Sequence, residues 1–109
     1  MEIAFAKKSL RQLCESERTA RRSLGARVSE KLKARLADFQ AANFVTDIIA
    51  GRPREFVGDR TGQVAVDLVD GFQLVFCSNH SDIPLINRTQ VDWSRVSRIK
   101  IMDIESDND

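Results

Sequence analysis

The sequence predicts an α+β fold: an N-terminal strand and two or three helices packed on a largely antiparallel sheet of four to five strands, in one domain spanning residues 1–109. Three patterns carry this. A strand-like alternation opens the chain, helical spacing runs through residues 8–42, and alternating apolar residues with turn signals fill residues 63–105.

The elements follow in order. Ile3 and Phe5 alternate with Glu2 and Ala4, which gives a short strand over 2–6. From Lys8 the period changes. Leu10, Leu13 and Cys14 form one helical stripe, and Ser16 caps a second helical piece with Arg18, Arg21 and Arg22 outward. Gly25 is a stop or joint. The longest helix covers 26–42. Val28, Leu32, Leu36 and Phe39 face the core, while Arg27, Lys31 and Arg35 form a basic stripe with few partners along the helix. Thr46 to Gly51 reads as one capped turn, and Pro53 starts an extended segment from Arg54 to Val57.

Val64, Val66 and Leu68 then share one strand face, and Phe72, Leu74 and Phe76 share the next. Asp70-Gly71 between them signals a two-residue primed turn, which needs positive φ. Residues 77–92 form a long polar loop. Val96 to Glu105 is the last strand, with its register shifting near Met102, and the tail 106–109 frays. The helices cover one face of the sheet. The other face stays free and carries Gln63, Asp67, Gln73, Arg98 and Lys100.

Composition narrows the function. Charged residues make up 30% and hydrophobic residues 42%, as in a soluble globular chain. No apolar run approaches the ~20 residues that span a bilayer, and the first residues do not form a signal peptide. Cys14 and Cys77 have no metal spacing and read as reduced thiols in the cytoplasm. The net charge of +1 hides a division. Residues 1–62 hold thirteen Lys or Arg against eight Asp or Glu, whereas residues 63–109 hold four against eight. A basic half attracts phosphate backbones or acidic segments.

Gly58-Asp59-Arg60-x-Gly62-Gln63, the hairpin with Asp70-Gly71-Phe72-x-Leu74-x-Phe76, the helical "ARVSEKLKARLADFQAA" and the final "VSRIKIMDIE" together resemble the RelE/ParE superfamily of toxins from type II toxin–antitoxin systems. The likeness is to the HigB-type, plasmid maintenance killer branch. It implies a bacterial toxin that enters the ribosomal A site, cuts messenger RNA without metal or other cofactor, and is neutralised by a cognate helix-turn-helix, HigA-like antitoxin. The chain departs from that branch at the acid and base positions. Arg54 stands where a histidine is usual, Ser106-Asp107-Asn108 replaces Asp-Tyr-His, and Gln73 replaces an arginine. There is no tyrosine, and the sole histidine, His80, reads as a surface imidazole in the long loop.

The candidate catalytic set is therefore cationic: Arg54, Arg60 and Lys100, binding the scissile phosphate and offsetting its added charge, with Arg98, Arg27, Lys31 and Arg35 as RNA contacts. A second expectation is a non-catalytic protein of the same fold, either a ParE-like target blocker or a degenerate toxin that only complexes its antitoxin. A third is a small nucleic-acid module built on the Arg27, Lys31 and Arg35 helix, for which the sequence offers no aromatic platform.

Overall fold

A computed structural model of the chain describes residues 1–106. Three helices and a five-stranded sheet form in the order β1 (Glu2–Phe5), α1 (Lys8–Glu15), α2 (Glu17–Leu24), α3 (Ala26–Ala41), β2 (Arg54–Glu55), β3 (Gln63–Asp67), β4 (Phe72–Ser78) and β5 (Arg98–Ser106). The sheet order is β1-β5-β4-β3-β2. The β2–β3, β3–β4 and β4–β5 pairs are antiparallel, while β1 lies parallel to β5. That one parallel pair follows from the helices, which carry the chain across between β1 and the rest of the sheet.

Local chemistry divides the helices. Ser16 breaks the first from the second, and its hydroxyl accepts the Thr19 N–H at 3.2 Å. Gly25, at φ 87°, closes α2 and opens α3, a conformation that other residues adopt only under strain. Val28, Leu32 and Phe39 of α3 and Leu10 of α1 are buried against Val64, Val66, Leu74, Phe76, Ile99 and Ile101 of the sheet. Phe76 is the centre of this core. It meets Phe39 edge-on at 5.4 Å and Trp93 at 6.4 Å.

The hairpin takes its expected turn, with Asp70 at φ 58° and Gly71 at φ 80°. It adds one residue, however. Phe72 donates to the Val69 carbonyl while its own carbonyl accepts from Leu68, so two residues of the first strand oppose one of the second. The shift near Met102 is also present: Val75 pairs with Asp103 but Phe76 with Ile101, leaving Met102 as the extra residue.

Three expectations are corrected. The loop after β4 carries structure of its own, because Leu85 bridges Val91 and the Asn87 carboxamide accepts the N–H groups of Thr89 and Gln90. His80 is half-buried, and its Nε2 accepts the Ser97 N–H at 3.0 Å, which ties that loop to the start of β5. Ser106 belongs to β5 rather than to a frayed tail, whose other members, Asp107, Asn108 and Asp109, lie outside the described residues.

Candidate functional site on the outer sheet face

Side chains alternate between the two faces of a strand, so pairing fixes which residues share the face away from the helices. One cross-strand row is Asp67, Gln73 and Glu105; the next is Arg54, Ala65, Val75 and Asp103; a third is Gln63, Cys77, Lys100 and Ala4. Arg98 and Glu2 lie beyond. Without the Met102 bulge the period would carry Met102 and Ile104 onto this face. With it, the acidic pair Asp103 and Glu105 faces outward.

The expectation of a free face is overturned. Ala65 and Val75, at its centre, are fully buried. A chain of polar contacts runs across the strands around them. Asp67 accepts from Arg52 at 2.6 Å and pairs with Arg54 at 3.0 Å. Arg54 donates to the Gln73 carboxamide oxygen at 2.9 Å, and Gln73 donates to Glu105 at 3.0 Å. Glu105 takes both terminal nitrogens of Arg60, at 3.2 and 2.7 Å. Arg60 also donates to Gln63, and its guanidinium lies 3.9 Å from the centre of the Phe56 ring. Arg52 adopts φ 51°, a left-handed backbone that its pairing with Asp67 helps to hold.

Two carboxyls feel this arrangement. The hydrogen bond from Arg60 holds Glu105 below the usual carboxylate range, against the opposing effect of burial. The hydrogen bond from Arg52 does the same for Asp67. Carboxylates held this low are weak bases, so the face is suited to binding and charge stabilisation more than to proton abstraction. Burial raises the Cys77 thiol, with nearby Lys100 pulling the other way, and burial pushes Cys14 up to about 11. Both thiols are therefore poor nucleophiles near neutral pH.

Of the sequence-predicted catalytic residues, all three stand on this face. Arg54 and Arg60 belong to one contact chain. The half-buried Lys100 side chain forms no ion pair or hydrogen bond among the described residues. It lies three strands from Arg54, a backbone span of roughly 14 Å, which suits a stretch of polynucleotide better than one phosphate. The predicted RNA contacts separate. Arg98 is on the outer face, paired with Glu2 at 2.6 Å. Arg27 reaches Asp70 at the hairpin turn, and Arg35, largely buried, donates to the Asp67 carbonyl at 3.0 Å. These two α3 cations thus bind the helix to the hairpin, and Lys31 between them forms no ion pair among the described residues. Sequence reasoning missed Glu105, Phe56 and Arg52. The Met102 shift was the signal for Glu105, since moving the register by one residue puts it on the Lys100 face.

Among the described residues, no three His, Cys, Asp or Glu side chains gather to hold a metal ion, and no helix is long and apolar enough to cross a membrane.

The α+β architecture is shared with a solved structure. A YoeB/ParE toxin from Agrobacterium tumefaciens superposes with a TM-score of 0.62 over 97% of this chain and 98% of that one, at 14% identity. No protein-family model and no curated protein matches the sequence.

Proposed function

We propose that the chain is the toxin of a type II toxin–antitoxin pair, a HigB-like endoribonuclease that cuts messenger RNA on the ribosome and so stops translation. One observation supports this above the rest: Arg54, Arg60 and Lys100 share one face of a fold that matches a YoeB/ParE toxin from end to end. In the proposed reaction the ribose 2′-hydroxyl loses its proton to water and its oxygen attacks phosphorus, forming a 2′,3′-cyclic phosphate as the P–O5′ bond breaks. The pentacoordinate phosphorus carries added negative charge, and the Arg60 guanidinium offsets it while Arg54 holds a neighbouring phosphate. Lys100, as an ammonium, gives a proton to the leaving oxygen. Arg98, on the same outer face, contributes a contact to the RNA backbone, whereas Arg27 and Arg35 are engaged with the hairpin. The protein acts in the cytoplasm and is neutralised by a HigA-like helix-turn-helix antitoxin.

A second reading has its own support. Asp67 and Glu105 already neutralise Arg54 and Arg60, the chain has no tyrosine, and its histidine is engaged by Ser97. A same-fold protein that blocks a target or only binds an antitoxin fits these facts. Induced expression without an antitoxin, followed by primer extension on cellular messages, decides between them. The nuclease gives growth arrest with codon-phased cuts. Arrest with intact messages supports the target blocker. Normal growth rejects an active toxin of either kind.

A further inference from the structure

We infer that Glu105 is a built-in occupant of a phosphodiester site: its carboxylate fills the Arg60 fork until a phosphate of the RNA displaces it. The inference rests on the RNA-directed reading above but concerns binding rather than cleavage.

The geometry that carries it is the shape match. A guanidinium presents two parallel N–H groups to a carboxylate or a phosphate in the same way. Here both terminal nitrogens of Arg60 are taken by the two oxygens of Glu105. The fork is held for a ligand by other groups. Phe56 supports one side of it, and Gln63 accepts from Nε and one terminal nitrogen. Ala65 and Val75, in the row between those of Gln63 and Glu105, are fully buried. Gln73 donates to Glu105 with its amide nitrogen while its oxygen holds Arg54. Once the carboxylate withdraws, that amide is a third donor for the incoming phosphate. Arg54 and Arg60 then both face the ligand through a shared support.

The same contacts say how the site opens. Glu105 is faced by Arg60 from the turn before β3 and by Gln73 from β4. Arg52, Arg54, Asp67, Asp103 and Lys100 are further charged groups on this face, with Arg98 and Glu2 at its far edge. Because Arg60 holds the Glu105 carboxyl below the ordinary range, it stays ionised near neutral pH. Acidification within the physiological range therefore does not open the fork. A competing anion does, so single phosphates bind weakly and a polynucleotide with several contacts binds well.

The test measures binding of the 2′-deoxy dinucleotide of uracil, which carries one phosphodiester and lacks the attacking hydroxyl, to the full chain in low salt. Glu105→Gln keeps the size and removes the charge, and it should tighten binding roughly two- to fivefold, the range that loss of one competing ion pair of this exposure allows. Adding Arg60→Ala to that variant should abolish the gain. Unchanged or weaker binding in Glu105→Gln overturns the inference, as does a gain that survives Arg60→Ala. Should Glu105→Gln fail to fold, nitrogen-15 spectra of the unaltered protein serve instead: the Arg60 side-chain N–H resonance must move as the dinucleotide saturates, and a stationary resonance rejects the site. Binding is read without growth arrest, so a tighter Glu105→Gln in a chain that never arrests growth keeps this inference and removes the nuclease reading.

Discussion

The inner face of the sheet carries Val64, Val66, Leu74, Phe76, Ile99 and Ile101, all buried beneath the helices, while the outer face carries Arg54, Arg60, Gln63, Asp67, Gln73, Lys100 and Glu105. Both faces belong to the same strands and differ by one residue of offset. The inner face holds by apolar burial, a non-directional force that tolerates any side chain of the right size. The outer face holds by directed contacts among charged groups that remain partly in water, where each pair contributes little to stability. The difference teaches where function can be carried at low cost: the outer residues can exchange partners with a ligand without opening the core.

Substitutions on the two faces should separate accordingly. Phe76→Ala empties the space between Phe39 and Trp93 and should cost about 3–5 kcal/mol, read from the denaturant midpoint. A cost under about 1 kcal/mol would break the comparison at its strong end. Gly51→Ala comes next. Gly51 has φ 90°, and a Cβ there would run into Val66 Cγ1 on the inner face and the Arg35 guanidinium, so a loss of about 2–3 kcal/mol is expected. Arg60→Ala should cost only about 1 kcal/mol in the same unfolding experiment, because its pair with Glu105 is partly exposed. A loss as large as that of Phe76→Ala would make the outer face part of the scaffold instead of a site.

The smallest effect concerns pH. The folded-state carboxyls of Glu105 and Asp67 lie below their unfolded values. Their contribution is present above the ordinary carboxylate range, near pH ~4, and is lost as pH falls through the lowered folded values. Melting temperatures taken from pH 5 down to pH 3 should therefore fall less steeply for Glu105→Gln than for the unaltered chain. Parallel curves would mean that Glu105 gains nothing from Arg60.

Much of the fold was legible in the letters because burial leaves a period. Val28, Leu32 and Phe39 repeat as a helix, Val64 and Val66 as a strand, and Asp70-Gly71 carries the positive φ that its turn needs. The partner of β1 was not legible, since nothing in residues 2–6 says which edge of the sheet they join. The candidate site was legible only as a set of cations. Arg35 and Arg60 look alike in sequence, yet one is buried against a carbonyl and the other spans a carboxylate and a ring. Their partners are distant in the chain, Glu105 being 45 residues from Arg60, and no local period records such a pair.

The central claim is that the outer face is where this protein acts. Primer extension on messages from cells expressing the chain without an antitoxin tests it most directly, with Arg54→Ala, Arg60→Ala and Lys100→Ala compared singly. Codon-phased cuts in the parent, reduced at least roughly tenfold in the Arg60 variant, as loss of a preorganised charge contact requires, are the result expected. Cutting and growth arrest that persist undiminished in all three variants would contradict it.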